Sequence, residues 1–246
     1  MAISTADPVA VAVTAAIQGG DLDTLARLLR EHPGLAAASL DGDPDDRGRV
    51  TTRTLRHVAT DWPGHFPNGP AVVAALLAAG ADVAGRFAGP HTETPLHWAA
   101  SCDDVPVLDA LLDAGADIDA AGAVIGGGTP LADAVAFGQW HAARRLVERG
   151  ARTELWQEAA LGLLDRVAAR FTGPDRPTAE DVTHSFWLAC HGGQLAAADF
   201  LLARGADLDR VGHVKLTPLD AAARAGAEEV VGWLRERGAR SAADLA

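Results

Sequence analysis

The sequence predicts an all-α repeat solenoid, an array of about seven helix-turn-helix units that stack on one another. The first observation is a recurring motif, found as LLAAGAD at 76–82, LLDAGAD at 111–117, LVERGAR at 146–152, LLARGAD at 201–207 and LRERGAR at 234–240. The second is the regular spacing of the motif glycines, with intervals of 35, 35, 55 and 33 residues. The third is an alanine 12 residues before four of these five motifs, as Ala99 precedes Leu111. A fixed period of this length is typical of stacked repeat proteins.

Each unit is predicted to be a short helix rich in small residues, a tight turn, and a longer helix rich in Leu and Val. Polar or glycine-rich breaks such as GGD at 19–21 and GGQ at 192–194 indicate the turn. The motif glycine ends the second helix, because only glycine adopts the left-handed conformation without a Cβ penalty. A helix pair this small cannot bury its own apolar faces, so each unit depends on its neighbours.

The pattern places the helix pairs, in chain order, at 8–31, 54–80, 94–115, 129–150, 153–172, 180–205 and 217–239. Terminal units of a stacked array face water on one side and are therefore atypical. Residues 1–40 are accordingly predicted to form an N-terminal capping unit, and 41–172 to contain repeats two to five. Residues 173–239 are predicted to hold the last repeats and a C-terminal cap, within a single domain of residues 1–246.

The second helix pair departs from the pattern. Ala59 and Leu76 lie 17 residues apart instead of 12, and the extra residues fall in TDWPGHFPNGP, which predicts a loop rich in Pro and Gly. Arg56 occupies a position where other units carry Leu. Two interpretations of the loop stay open: either Trp62 anchors a binding partner, or the loop folds back over the unit that carries Arg56.

The fifth helix pair lacks the motif glycine, which produces the interval of 55 residues. It is followed by TGPDRPTAEDV, in which Thr178 is a predicted N-cap for the next helix. We expect the regular stacking to be interrupted at this insertion.

The segment TPLHWAA at 94–100, followed by VLDALLDAGADID, resembles the ankyrin repeat of the type found in bacterial proteins. TPLADAVA and TPLDAAA repeat the opening, so the resemblance covers nearly the whole chain. It implies two antiparallel helices in each unit and a finger loop that projects between units. It also implies that His97 bonds to the Thr hydroxyl and to neighbouring backbone, which is a structural role.

The resemblance further implies a non-catalytic scaffold that binds another protein through the finger tips and a concave groove of inner helices. Phe87, Val124 and Ile125 are expected at exposed finger tips, and Trp62, Phe137 and His191 in the groove. The full set of candidate partner-binding residues is Trp62, His65, Phe66, Arg86, Phe87, His91, Ser101, Cys102, Val124, Ile125, Phe137, His191 and His213.

No catalytic or metal-binding motif occurs in the sequence, since HxxxH, CxxC and HExxH are all missing. The glycines at 126–128 lack the Lys and Ser or Thr that complete a phosphate loop. Cys190 and His191 cannot pair as nucleophile and base, because adjacent helical residues point about 100° apart. We therefore expect no catalytic residues, no cofactor and no metal.

Two other function classes stay open. One is a small-molecule or enzymatic pocket on the concave face, for which three titratable side chains must converge beside an aromatic wall. Its candidate residues are Trp62, His65, Phe66, His91, Cys102, Trp140, His141, Cys190 and His191. The other is an inhibitor or immunity-type protein that covers a basic partner, which the net charge alone suggests.

The net charge of −12 disfavours nucleic acid and anionic membranes as partners. The two cysteines, Cys102 and Cys190, have no paired spacing and are predicted to be free thiols in a reducing cytosol. The start of the sequence lacks the basic region of a signal peptide, and no apolar run approaches the roughly 20 residues that span a bilayer. The expected protein is a cytoplasmic monomer.

Overall fold

The structure is a computed structural model that describes residues 2–42 and 48–245. Within these ranges the chain forms fourteen α-helices, and consecutive helices pack in seven pairs. The pairs are α1 (Pro8–Gly19) with α2 (Leu22–Glu31), α3 (Leu55–Ala59) with α4 (Gly69–Ala78), α5 (Pro95–Ser101) with α6 (Val105–Asp113), α7 (Pro130–Ala136) with α8 (Trp140–Glu148), α9 (Leu155–Ala160) with α10 (Leu164–Arg170), α11 (Ala179–His191) with α12 (Leu195–Leu202), and α13 (Pro218–Arg224) with α14 (Glu228–Glu236). The predicted all-α repeat solenoid is confirmed, and each helix pair lies where the sequence places it.

The chain divides into two compact units, each made of several helix pairs. We call Met1–Ala151 the first unit and Arg152–Ala246 the second unit. In the first unit, the first helices of successive pairs pack in series, α1 on α3, α3 on α5 and α5 on α7. The second helices form a parallel row in the same order, α2 on α4, α4 on α6 and α6 on α8. In the second unit, α9 packs on α11 and α11 on α13, while α10 packs on α12. This arrangement of two rows of helices is what a repeat of helix pairs requires.

The TPLH segment at 94–97 caps the start of α5 through contacts between Thr94 and His97. The Thr94 N–H donates to Nδ1 of His97 at 3.1 Å, and the Thr94 hydroxyl lies 2.9 Å from the same nitrogen. Pro95 occupies the first helical turn, where its missing N–H costs nothing. The other ring nitrogen of His97 lies 3.4 Å from the carbonyl of Gly128, so the side chain also joins the helix to the next finger.

His57 makes the corresponding contacts one helix pair earlier. Its Nδ1 lies 2.9 Å from the Thr54 hydroxyl, and its Nε2 lies 3.1 Å from the carbonyl of Glu93. Burial lowers the pKa of His57 to about 4 and the pKa of His97 to about 4 as well. Both imidazoles are therefore neutral near pH 7 and serve as hydrogen-bonding groups of the core.

The predicted helix endings are confirmed at all five motif glycines. Each has a left-handed backbone, with φ of 93° at Gly80, 88° at Gly115, 96° at Gly150, 91° at Gly205 and 79° at Gly238. The residue after the glycine donates its N–H back into the last helical turn, as Ala116 does to the carbonyl of Leu111 at 3.0 Å. This bonding pattern satisfies carbonyls that would otherwise lack a partner at the helix end.

A small β-sheet, which the sequence did not predict, closes the start of the first unit. Strand β1 (Ala2–Ser4) pairs in parallel with β2 (Ser39–Asp41), and β2 pairs antiparallel with β3 (Thr52–Thr54). Thr52 also exchanges two backbone hydrogen bonds of 2.8 Å with Ala88 in the first finger. Strands of three residues are too short to show a period of two, so no sequence pattern indicates them.

Each of the two compact units has its own apolar core between its two rows of helices. Leu76, Leu111 and Leu146 are fully buried in the first unit, and Phe186 and Leu201 in the second. Among the described residues, none of the helices combines the length and the apolar character needed to cross a membrane.

Candidate interaction surface

The enlarged turn between α3 and α4, residues 60–68, is here named the Trp62 loop. Hydrogen bonds fix it to the third helix pair. The His65 N–H donates to the Asp104 carboxylate at 2.7 Å, and the His65 ring lies 3.0 Å from the carbonyl of Cys102. The Cys102 thiol in turn donates to the Thr60 carbonyl at 3.7 Å. One side of the loop is therefore held by the next turn of the solenoid.

The other side of the Trp62 loop is held by the first helix pair. The Asn68 side chain donates to the carbonyl of Gly20 at 2.9 Å. Pro67 lies so close to Gly20 that a Cβ on this glycine would be 2.1 Å from the Pro67 carbonyl oxygen. Phe66 is half-buried at this end of the loop. The loop thus joins pairs one, two and three, while Arg56 lies beneath the first finger, where its Nη2 is 2.5 Å from the position of a Cβ on Gly85.

The indole of Trp62 projects into solvent from this fixed backbone, with 81% of the residue exposed. The Asp61 carboxylate accepts a hydrogen bond of 2.9 Å from the Trp62 N–H and forms an ion pair with Arg53. The Gly64 N–H donates to the Asp61 carbonyl at 2.7 Å, which closes the turn behind the indole. The backbone is therefore constrained on both sides of this exposed side chain.

The turns of the next two helix pairs lie beside the Trp62 loop. Asp103, between α5 and α6, accepts a hydrogen bond of 2.7 Å from the Ala142 N–H and pairs with His141 at 2.7 Å. The Gln139 side chain donates to the carbonyl of half-buried Ser101 at 2.9 Å. These bonds join the turn of the third pair to the turn of the fourth.

Phe137 ends α7 in the turn of the fourth pair and is 48% exposed. Together with the turn at Cys102, which is half-buried, Trp62 and Phe137 form a continuous row of turns on the first unit. We name this row the Trp62–Phe137 edge. The edge contains Trp62 and Phe137, two aromatic residues that the sequence assigns to partner binding, and both are exposed.

The first finger differs from the expectation that Phe87 lies at an exposed tip. The Phe87 ring is half-buried, with its centroid 5.5 Å from that of Trp98 and 6.3 Å from that of His57. The ring folds back because Trp98 offers an apolar surface at the start of the third pair. Arg86 is exposed and donates to the carbonyls of Thr92 at 2.8 Å and Ala121 at 2.5 Å.

The second finger exposes Val124, at 39%, and leaves its neighbour Ile125 half-buried. The Ile125 N–H donates to Oδ1 of Asp133 at 3.3 Å, so the finger is attached to α7 through a side chain. His91, which precedes the third pair, is half-buried. The fingers are therefore bonded to the solenoid and present fewer apolar atoms than the sequence predicts.

Asp133 and Glu93 form a buried acid pair, which the sequence analysis missed. Both carboxyl groups are buried, and they lie within hydrogen-bonding reach of each other. Burial raises the pKa of Asp133 to about 7, and the nearby Glu93 charge adds to the effect. Burial also raises the pKa of Glu93, against a hydrogen bond with the Trp98 side chain. One carboxyl group of the pair therefore keeps its proton, and stays uncharged, up to about neutral pH. The available signal was Asp133 itself, a charged residue at the position that Trp98 occupies in the preceding helix pair.

The remaining candidates lie in the second unit. His191 is half-buried, with its ring 5.6 Å from Trp187, and burial lowers its pKa, with a further contribution from Arg224. His213 begins a short 3-10 helix, and its side chain lies outside the described part of the structure. Neither residue is on the Trp62–Phe137 edge, which belongs to the first unit.

The second unit also contains a cavity of about 390 Å³ between α11 and the following finger. The lining residues are Glu180, Thr183, His184, Trp187, Arg210, Val211 and Gly212. Two charged side chains of the lining, Arg210 and Glu180, form an ion pair. Arg210 donates to both carboxylate oxygens of Glu180, at 2.7 and 3.1 Å. None of the residues that the sequence proposes for a pocket lines this cavity, so it gives that alternative no support.

The two cysteines are poor nucleophile candidates in this environment. Burial raises the pKa of Cys102 to about 11, helped by the charges of Asp61 and Asp104. Burial raises the pKa of Cys190 still further. Since the thiolate is the reactive form, both are unreactive thiols near pH 7. In the described ranges, no group of three or more His, Cys, Asp or Glu residues is placed to hold a metal ion.

Comparisons with known proteins agree with this architecture. The family model for ankyrin repeats, in three copies, matches residues 67–155. The ankyrin repeat and KH domain-containing protein mask-1 of Caenorhabditis elegans is 44% identical to this chain over 50 residues. That alignment covers 20% of this chain and 2% of the relative, so the similarity concerns a small part of a much longer protein.

Proposed function

We propose that this chain, which matches the ankyrin repeat family model over residues 67–155, is a non-catalytic scaffold that binds another protein through the Trp62–Phe137 edge. Ankyrin repeats generally mediate protein-protein interaction, and their family is generally non-enzymatic. A fold alone does not assign a function, so the proposal depends on the surface of this particular chain.

The exposed indole of Trp62 is the observation that supports the proposal most. Burying a Trp side chain stabilises a fold, yet this loop is held by hydrogen bonds from two neighbouring turns and still leaves the indole 81% exposed. Trp is among the residues enriched at energetic hot spots of interfaces. A loop that is already ordered also loses little conformational entropy when a partner binds.

The charge of the first unit favours a basic partner. Residues 1–151 contain 10 Arg and 19 Asp or Glu, a net charge of 10 − 19 = −9 of the −12 in the whole chain. Complementary charge accelerates encounter and disfavours acidic competitors. We therefore expect the partner to present a positively charged surface around an apolar or aromatic recess that receives Trp62.

The second finger offers an additional contact region in this proposal. Val124 is exposed there, and exposed Arg86 of the first finger donates to the Ala121 carbonyl beside it, while His91 and Ile125 are half-buried. Free thiols at Cys102 and Cys190 are compatible with a reducing compartment. The proposal therefore places the protein in the cytoplasm, as a monomer that binds its partner.

The proposal is tested by affinity capture with matched variants. Immobilised wild type, a Trp62→Ala/Phe137→Ala variant and a Val211→Ala/Val214→Ala control would be exposed to native extract, and bound proteins identified by mass spectrometry. The control removes exposed apolar side chains from the second unit. We expect wild type and control to retain the same partner and the Trp62→Ala/Phe137→Ala variant to lose at least about tenfold in affinity. A partner retained equally by all three proteins would contradict the proposal.

A further inference from the structure

Three turns of the first unit are linked in series by the residues that begin their second helices. These residues are the N-caps of α4, α6 and α8, namely Asn68, Asp104 and Gln139. Asn68 and Gln139 each donate a side-chain hydrogen bond of 2.9 Å to a backbone carbonyl of the preceding turn. Asp104 also bonds to the preceding turn, but as an acceptor, because its carboxylate receives the N–H of His65. In these three helix pairs, one position of the repeat therefore joins each turn to the turn before it.

The Asp104 carboxylate makes two hydrogen bonds to backbone, one with each oxygen. Oδ1 caps α6 by accepting the Val107 N–H at 3.3 Å, and Oδ2 accepts the His65 N–H at 2.7 Å. Asp104 is only 2% exposed, so bulk water is largely excluded from both bonds. A carboxylate also accepts stronger hydrogen bonds than a neutral carbonyl does. The bond to His65 is therefore well placed to hold the Trp62 loop.

His65 lies three positions after Trp62, in a part of the loop with an unusual backbone. Gly64 and His65 are both left-handed, with φ of 74° and 57°. This conformation is disfavoured for an L-residue such as His65, so contacts must hold it. The Gly64 N–H donates to the Asp61 carbonyl at 2.7 Å, which closes the turn that contains Trp62. Holding His65 in this conformation therefore restricts the turn that carries the indole.

We infer that Asp104 is the positioning residue for Trp62 in partner binding, an inference that rests on the function proposed above. Asp104 is buried and belongs to the neighbouring helix pair, so it acts through the loop and does not touch the partner. With the loop ordered in advance, less conformational entropy is lost when the partner buries the indole. Loss of the bond to His65 should therefore lower affinity even though every contact residue is retained.

Asp104→Asn separates the two hydrogen bonds of this carboxylate. Asn is as good an N-cap as Asp, so its carbonyl oxygen should retain the bond to Val107. The side-chain NH2 group then faces the His65 N–H, and two donors cannot bond to each other. Asp21→Asn is the matched control, because Asp21 caps α2 by accepting the Thr24 N–H at 3.0 Å. The control also removes one negative charge from the first unit.

Amide hydrogen exchange measured by NMR tests this role of Asp104 without a partner. In Asp104→Asn, the His65 and Gly64 amides should exchange at least about tenfold faster than in wild type, and Val107 should change less than about twofold. Asp21→Asn should leave the exchange of His65 and Gly64 unchanged. An unchanged His65 rate in Asp104→Asn would overturn the inference. Equal acceleration at His65, Gly64 and Val107 would also overturn it, because that pattern reports a general loss of stability.

A double-mutant cycle tests whether Asp104 acts through Trp62. The affinity for the purified partner, identified by the capture experiment above, would be measured for wild type, Trp62→Ala, Asp104→Asn and the double variant. We expect Asp104→Asn to weaken binding about fivefold in wild type and less than about twofold in the Trp62→Ala background. Equal effects in both backgrounds, including no effect in either, would overturn the inference and leave the proposed function intact. Binding that Trp62→Ala does not weaken would instead contradict the proposed function and, with it, the binding role of Asp104.

Discussion

At the scale of single residues, glycine is needed in this chain for two different reasons. Gly115 ends α6 with φ of 88°, and a Cβ built on it would meet no atom within 4 Å. Its requirement is therefore one of backbone conformation. Gly192 follows α11, and a Cβ there would lie 2.0 Å from the carbonyl oxygen of Ala160. Its requirement is one of close approach between two helix pairs of the second unit.

Substitution of Gly115 should isolate the conformational cost. We expect Gly115→Ala to lower the free energy of unfolding by about 1–2 kcal/mol, because an L-residue is disfavoured in the left-handed region. Gly115→Val should cost more, since a β-branched side chain is worse at positive φ. Urea unfolding followed by circular dichroism measures both effects.

Gly232 provides the matched control for Gly115. It lies inside α14 with a helical backbone, and a Cβ there also meets no atom within 4 Å. Gly232→Ala should therefore raise the free energy of unfolding by about 0.5–1 kcal/mol, because Ala is the better helix former. Equal effects of the two Gly→Ala substitutions would show that the helix ending at Gly115 has been misinterpreted.

Local signals made some residues predictable and left others out of reach. The glycine endings follow from motifs within a few residues of sequence, and the role of His97 was implied by the resemblance of its TPLH segment to the ankyrin repeat. The burial of Phe87 depends on Trp98, and the acid pair depends on contact between Glu93 and Asp133, which lie in different units of the repeat. Arg56 was visible as an exception to the leucine pattern, but only the folded structure shows that its Nε and Nη1 have no hydrogen-bond partner among the described residues.

At the scale of elements, the acid pair makes the second finger sensitive to pH. Asp133 on α7 accepts the Ile125 N–H of the finger and lies against Glu93, which precedes α5. The raised pKa of Asp133, about 7 against a usual 3.8, means that the folded state keeps a proton that the unfolded state releases. This contribution to stability is complete below about pH 4 and is lost as the pH rises to about 7.

Asp133→Asn should remove this pH dependence, because the amide accepts the Ile125 N–H and donates to Glu93 without ionising. Between pH 5 and pH 7, wild type should lose up to about 1.4 kcal/mol per pH unit relative to the variant. The variant should therefore gain about 2–3 kcal/mol over wild type on going from pH 5 to pH 8, measured by urea unfolding at each pH.

The comparison between proteins matters more than the wild-type curve, because His57 and His97 have the opposite effect. Their lowered pKa values cost stability as the pH falls from about 6.5 to about 4, which partly hides the loss from Asp133. Asp113→Asn, at an exposed carboxylate, is the control for the substitution itself. A pH-independent difference between Asp133→Asn and wild type would contradict a shared proton in the acid pair.

Helix pairs were predictable because their boundaries are marked by residues that lie close together in sequence. The Trp62 loop was identified as an insertion, but its bonds to Asp104 and Gly20 join residues that are 39 and 48 positions apart in sequence, and they could not be inferred. The sheet was missed because its three short strands have no pattern, and pairing of Ala2–Ser4 with Ser39–Asp41 is long-range. Contacts across units decide these features, and local patterns do not record them.

At the scale of the whole molecule, negative charge is concentrated in the first unit. Residues 1–151 carry a net charge of −9 and residues 152–246 carry 11 − 14 = −3. The boundary follows the third motif glycine, Gly150, and comes before the helix pair that lacks its own glycine. The interval of 55 residues indicates this irregularity, although the division into two compact units is a property of the packing.

The concentration of charge predicts that salt and Trp62 control different steps of partner binding. For a partner captured by wild type and lost by Trp62→Ala/Phe137→Ala, the association rate should fall about tenfold or more between about 50 and 500 mM NaCl, because screening shortens the range of attraction. The dissociation rate should change little with salt and should increase in Trp62→Ala, since buried aromatic contacts break only when the complex separates. Surface plasmon resonance measures both rates. An association rate independent of salt would show that the charge of the first unit does not guide the encounter, even if Trp62 is the anchor.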